Sequence, residues 1–328
     1  MNKKNIIIIG SGITGLLANH LLKKKFNTFI IENTNNIGGL LSSIKFKDMY
    51  FDYGTHIAFK INHKKLDKIL FDKLDKKEWN IFKKSVREGI YNFGRLDKNS
   101  GTLDARNLEK EKIVKAQKEI LKKRQKKRFR NLHERLIHEY GETLTFNIYE
   151  KAIKKIANQD LNNITPDFLE NFSIERVRLF KNNQVLNLKK KPFYDLKISY
   201  NKISERNSPY EKYYHKKGGS INWLKQIIDM KKISLNTFVT KVQIKKKKIL
   251  NIKLSNNKEI KCHKLIWSAP PISFLRMIKK KIKGVKPNSR NLLIVHLEIN
   301  EKINHNLHYM TCYDTNFKIY RVTFYSNL

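Results

Sequence analysis

The chain opens on a short run, Asn5 to Ile9, whose last four residues are uninterrupted β-branched isoleucines. A run this short and this uniformly apolar is the pattern of a parallel strand covered on both faces. Gly10 ends it. From Ile13 to about Lys25, apolar residues recur at Ile13, Leu16, Leu17, Leu21 and Leu22, one face of a helix. Lys23, Lys24 and Lys25 fall in its last turn, where the helix dipole favours cations. Thr28 to Ile31 reads as a second short strand. Strand, glycine turn, helix and strand within about 32 residues make a βαβ unit.

The pattern then changes. Leu74 to Asn207 is poor in glycine and rich in helical spacing, and Leu108 to Tyr140 reads as a strongly basic helical stretch with an apolar stripe. Such a stripe packs on its own protein or lies on a membrane surface; the first reading is favoured. From Asn236 the period becomes two: Val242 and Ile244, then Leu250, Ile252 and Leu254, flank the tetralysine Lys245 to Lys248 as hairpin strands. A further strand, Lys264 to Ser268, is stopped by Ala269, Pro270 and Pro271. Alternation returns at Leu293, Val295, Leu297 and Ile299, and again from Phe317 and Ile319 to Tyr325.

Composition adds three constraints. With 328 residues the chain is long enough for two domains. No apolar run approaches the roughly 20 residues that cross a bilayer, and the four isoleucines before Gly10 are too few for a signal peptide, so a cytoplasmic protein is expected. Cys262 and Cys312 cannot build a disulfide framework, which fits a reducing compartment. Lys and Arg number 69 against 29 Asp and Glu, a net charge of +40. The excess is mostly Lys, spread along the whole chain beside abundant Asn and Ile, so it reads as a bias of composition, and nucleic acid is not expected as the partner.

Two patterns carry chemistry and one only imitates it. Gly10-Ser11-Gly12-Ile13-Thr14-Gly15 is G-x-G-x-x-G between a buried strand and a helix. Its glycines permit a tight turn, a close approach of backbone to a diphosphate, and helix packing on the sheet. The helix N-terminus offers free amides and a positive dipole end. Glu32 stands 22 residues after Gly10, at the end of the second strand, where an acid bonds a ribose hydroxyl; its charge disfavours a 2′-phosphate. His133 and His138 imitate a zinc motif, but five residues apart they diverge by roughly 140° around a helix and cannot share an ion. No metal is expected.

Beyond Glu32 the chain resembles a known superfamily. Ile37-Gly38-Gly39-Leu40-Leu41-Ser42 places a glycine pair six residues after the acid, and Phe51-Asp52-Tyr53-Gly54-Thr55-His56 follows. In this order the motifs resemble those of the FAD-dependent amine oxidase and protoporphyrinogen oxidase-like superfamily, which includes phytoene desaturases and UDP-galactopyranose mutases. Tyr213 to Gly219 with Trp223 looks like the Y-x-x-x-G-G segment of that superfamily. Leu235 to Val242 looks like the strand whose valine, here Val239, meets the adenine through its backbone. Two departures stand out: Leu40 replaces an arginine found in many members, and the glycine-bearing segment that closes the flavin site late in those chains has no counterpart after Gly284. The second departure reads as a truncated chain, or one whose remainder is supplied separately.

The resemblance implies an α/β fold: a Rossmann-like FAD-binding domain, a parallel sheet with helices on both faces, interleaved with an α+β substrate domain. The expected division is 1–73 and 208–270 for the FAD-binding domain, 74–207 for a mainly helical substrate or cap region, and 271–328 for substrate-domain strands. It implies FAD held by Gly10, Ser11, Gly12, Ile13, Thr14, Gly15, Glu32, Gly38, Gly39, Leu40, Ser42, Gly54, Thr55, His56 and Val239. His56 is the candidate catalytic residue beside the flavin, with a structural role as the alternative. Lys216 and Lys217 are read as solvated. The implied activity is hydride transfer from a small organic substrate to flavin. A mutase acting on a sugar nucleotide, or a catalytically incomplete dinucleotide-binding module, are the alternatives, and peripheral membrane contact stays open.

Overall fold

The computed structural model describes residues 3–92, 94–125, 127–202, 207–246, 248–281 and 291–328; Lys126, Lys247 and Gly284 lie outside them. The chain divides into two compact units, Met1–Lys83 with Pro209–Glu298, and Lys84–Ser208 with Ile299–Leu328.

The first unit is built on a parallel sheet. Strand β1 (Asn5–Ile9) pairs with β2 (Asn27–Ile31), and helix α1 (Ile13–Leu22) connects them. Two short strands from far along the chain complete the sheet: β3 (Ile233–Ser234) beside β2, and β4 (Lys264–Trp267) beside β1, giving the order β3-β2-β1-β4. Alternation sorts the strand side chains between two cores. Ile6, Ile8 and Ile30 face Leu16 of α1 and Leu224, while Ile7, Ile9 and Ile31 face Val239, Val242, Ile252 and Leu254. The four consecutive isoleucines of β1 are therefore needed because both faces are dry. The second face is covered by the antiparallel sheet of Val239–Lys245, Lys248–Leu254 and Glu259–Lys261, with Phe274 and Met277 of helix Pro271–Met277 beside it. Helix α1 ends at Leu22, short of the three lysines; the Lys25 and Phe26 amides close its last turn on the Leu22 carbonyl.

The second unit is mainly helical. The basic stretch Leu108 to Tyr140 is two helices, Lys110–Leu121 and Leu132–Tyr140, separated where Lys122 adopts ψ 122° and restarted where Asn131 caps the Glu134 amide at 2.9 Å. Ala116, Ile120, Leu132, Leu136, Tyr140, Tyr149 and Ile153 form its core. A four-stranded sheet carries Tyr309–Cys312 parallel to Glu88–Asn92, with Arg321–Thr323 and Arg95–Asp97 antiparallel on either side. The fully buried Arg178 guanidinium pairs with Asp97 and, at 3.4 Å, with Asp104. Two carboxylates thus share one buried cation, and removing the arginine would leave both without it.

The alternating stretch Leu293 to Ile299 is not a strand: its backbone carries no regular structure, and Leu293 and Leu297 are 90% and 81% exposed. Period-two alternation yields a strand only when a neighbouring edge supplies hydrogen bonds, and among the described residues none does. From Phe317 to Tyr325 only Arg321–Thr323 is a strand. Cys262 and Cys312 are both buried and unpaired.

Candidate functional site

The three glycines after β1 answer to different demands. Gly10 has φ +97°, and a methyl group there would stand 2.8 Å from Ser268 Oγ. At Gly15 a methyl group would meet the Gly10 carbonyl oxygen at 2.0 Å, so α1 can lie against the turn only without a side chain. Gly12 is unlike both. Its φ of −67° and ψ of 174° suit any residue, and the nearest atom to an added methyl would be the Gly38 oxygen at 4.0 Å. Nothing in the protein's own packing requires a glycine at this position.

Gly12 is the N-cap of α1, and no side chain caps the helix. Leu16 N–H bonds the Gly12 carbonyl at 3.0 Å, the first bond of the helix, so the amides of Ile13, Thr14 and Gly15 precede the intrahelical ladder. No acidic side chain occupies the first turn. The second glycine pair closes against this loop: Gly38 N–H donates to the Ser11 carbonyl at 3.0 Å, Gly38 bridges to Gly12, and a methyl group on Gly39 would approach Gly12 Cα to 3.3 Å. Ser42 turns its hydroxyl back onto the Gly39 carbonyl at 2.7 Å, whereas Leu40 is 74% exposed and Thr14 is exposed. Gly10 to Gly15, Gly38 and Gly39 thus form one cluster.

Glu32 sits on the opposite wall, one residue past β2. One carboxylate oxygen accepts Ser11 N–H and Ser11 Oγ, both at 2.8 Å; the other accepts Thr34 N–H at 3.0 Å and Thr34 Oγ1 at 2.9 Å. Burial pushes its pKa upward, but these four bonds overcome that and hold it below the ordinary carboxylate range. Two of the four donors are hydroxyl rotors, which can yield to the hydroxyls of a ribose while the backbone bonds stay. The residue is therefore a charged, buried acceptor, which fits the hydroxyls of a dinucleotide's sugar. The Thr237 amide donates to the Glu32 carbonyl at 2.8 Å, which brings the chain leading to Val239 past the same strand end. Val239 itself buries its side chain among Ile7, Ile9 and Ile31.

Gly54, Thr55 and His56 stand on the loop after strand Met49–Asp52. His56 is half-buried, and its Nε2 lies 3.3 Å from the Tyr53 carbonyl. A carbonyl only accepts, so Nε2 is the donor in this contact. Lys216 and Lys217 are exposed.

The residue that anchors this loop is Asp52, inside the motif but absent from the expected site. Its side chain is 2% exposed and accepts from Ser220 N–H at 2.9 Å, Ser220 Oγ at 2.6 Å, His215 Nε2 at 2.7 Å and Ser43 Oγ. Its backbone carbonyl receives His296 Nε2 at 3.2 Å. Burial alone would raise its pKa, but the bonds from His215, Ser220 and Ser43 prevail and hold it at about 2. One carboxylate thereby ties the loop to the glycine pair at Gly218 and Gly219. Its partners are 163 and 168 residues away, a separation no local pattern reveals.

Residues 8–74 match the NAD(P)-binding Rossmann-like domain family. No curated protein sequence matches the chain. Among solved structures, reduced UDP-galactopyranose mutase matches with a TM-score of 0.70 and 17% identity over 99% of this chain and 70% of that one. A candidate protoporphyrinogen oxidase from Exiguobacterium sp. 255-15 matches with a TM-score of 0.54 and 13% identity, over 85% of this chain and 62% of that one. The chain therefore spans less than two thirds of the oxidase chain. Residues 8–74 therefore have the Rossmann-like fold of the NAD(P)-binding family whose model they match, and the chain as a whole shares its fold with the solved mutase and oxidase structures.

Proposed function

We propose that the chain binds FAD and acts as a flavin-dependent oxidoreductase on a small organic substrate. The observation that carries the reading is Gly12, a glycine that the protein's own packing does not need, set between a helix N-terminus that no side chain caps and a buried carboxylate. The diphosphate would take the Ile13, Thr14 and Gly15 amides, with Gly38 and Gly39 closing against it. The ribose would replace the Ser11 and Thr34 hydroxyls on Glu32. The adenine would meet the backbone of Val239. Leu40 offers no cation to the phosphates, so amides and the helix dipole supply the positive end.

Bound FAD supplies an electron acceptor for a hydride equivalent leaving the substrate. The protein's part is orientation and exclusion of water. His56 is the proposed catalytic residue beside the ring, its Nε2–H directed at the Tyr53 carbonyl and Nδ1 the ring nitrogen left to face a substrate. Asp52 holds that loop, and residues 74–207 are proposed as the substrate side of the molecule. A second reading, a sugar-nucleotide mutase in which flavin chemistry brings no net oxidation, is favoured by the coverage of the mutase match.

The test is purification of the full chain followed by titration with FAD and, in parallel, with NAD. A visible flavin band that stays with the protein through gel filtration supports the reading; retention of NAD and not FAD overturns it. Reduction of the bound flavin by candidate amines and porphyrinogens, set against turnover of UDP-galactopyranose by the chemically reduced protein, then separates oxidase from mutase.

A further inference from the structure

Residues 110–130 hold eleven Lys and Arg against two Glu, more than three times the mean excess of positive charge along the chain. The structure sorts them by side. On helix Lys110–Leu121, Ala116 and Ile120 are buried in the core of the second unit, and Ile113 and Leu121 pack against it. Glu119 also turns away from the outer face, accepting the Thr143 amide at 2.9 Å. What remains outside is a stripe of Lys110, Glu111, Val114, Lys115 and Lys118, which lines a shallow depression of about 460 Å³. Val114 is 50% exposed at its centre. Lys122, Lys123, Lys127 and Arg128 continue the exposed positive charge past the helix end.

We propose that this face docks on an anionic phospholipid surface. An aliphatic centre rimmed by lysines suits a lipid interface, because lysine stems lie along apolar surface while their ammonium groups reach the headgroups. Lysines close to an anionic leaflet each add to the attraction, and salt screens it. Nucleic acid suits the face less well, since stacking on bases needs free aromatic rings. Phe129 is the one aromatic residue in the stretch. Its ring lies 5.3 Å from that of His138, with Lys127 Nζ 5.6 Å from its centre. Arg124, bonded to the Ile137 carbonyl, and Arg130, paired with Glu134, belong to the fold and not to the docking face.

The experiment is co-sedimentation of the full chain with vesicles of phosphatidylglycerol and phosphatidylcholine, or phosphatidylcholine alone, across a salt series. The wild type should bind the anionic vesicles and release as salt rises. Changing Lys110, Lys115, Lys118 and Lys122 to Gln should lower partition roughly tenfold or more. A matched variant with Lys64, Lys65, Lys76 and Lys77 changed to Gln, exposed lysines of a region richer in acids, should stay within about twofold of wild type. Equal loss in both variants, equal binding to neutral vesicles, absence of binding, or release of the protein from vesicles by equimolar single-stranded RNA each overturns the proposal. Hydrogen exchange of the wild type gives a readout independent of any variant's folding: protection of residues 110–121 on anionic vesicles supports it, and unchanged exchange there contradicts it.

Discussion

The glycine cradle and the Asp52 cluster lie in the same unit and are built on opposite principles. Around Asp52 both carboxylate oxygens are met by donors, Ser43 from the paired strand and His215 and Ser220 from a segment far along the chain, and the group is shut from water. Around Gly12 no side chain caps the helix start, and an added methyl would meet nothing nearer than the Gly38 oxygen at 4.0 Å. A cluster saturated by its own protein holds a shape. A cluster whose amides point outward at a position needing no glycine is shaped for something else. The same contrast recurs within the loop, where Gly10 and Gly15 serve the fold and Gly12 does not.

The largest effect that could break this contrast lies at Gly15. Gly15→Ala places a methyl group 2.0 Å from the Gly10 carbonyl, and the forced separation of α1 from the sheet should cost about 3 kcal/mol or more. Denaturant unfolding measures it; an unchanged midpoint would mean the helix does not lie this close. Gly12→Val is the converse. It should change stability by less than about 1 kcal/mol yet weaken FAD binding roughly a hundredfold, about 2.7 kcal/mol, read by flavin fluorescence titration. If it unfolds the protein, Gly12 is structural and the contrast fails.

Asp52→Asn should cost about 2 kcal/mol, because an amide cannot accept all the bonds of the carboxylate and leaves buried donors unpaired. The pH dependence has a definite sign. A folded-state pKa near 2, below the ordinary 3.8, gives stability that is complete above about pH 4 and is lost as pH falls toward 2. Unfolding midpoints measured from pH 5 to 2 should fall in the wild type and flatten in the variant. Glu32→Gln is the mildest: nucleotide affinity should drop about tenfold, some 1.4 kcal/mol, with the loss concentrated in ligands carrying a ribose.

The legible part of this molecule is the part whose partners are near in sequence. β1, α1, β2 and the position of Glu32 follow from a dry strand, three glycines and a count of 22 residues, all inside one βαβ unit. The Gly38 contact with Ser11 needed the structure, since the sequence offered the second glycine pair only through a resemblance. What could not be read depends on distant encounters. Ile233–Ser234 joins the sheet beside β2 from two hundred residues away, and Asp52 looks like an ordinary strand-end acid until His215 and Ser220 reach it. The break between Leu121 and Leu132 hides because lysines and arginines keep helical propensity through it. Leu293 to Ile299 misleads for the opposite reason, since its alternation is clear while no strand edge among the described residues pairs with it.

The central claim, that Gly12 exists for a bound dinucleotide and not for the fold, is tested most directly by one paired measurement on Gly12→Ala: its unfolding midpoint and its FAD affinity, beside those of the wild type. The backbone at this position already suits alanine, so the account predicts an unfolding curve within about 1 kcal/mol of wild type and a clear loss of FAD affinity. A variant that binds FAD as tightly as the wild type, or a wild type that binds none, contradicts it.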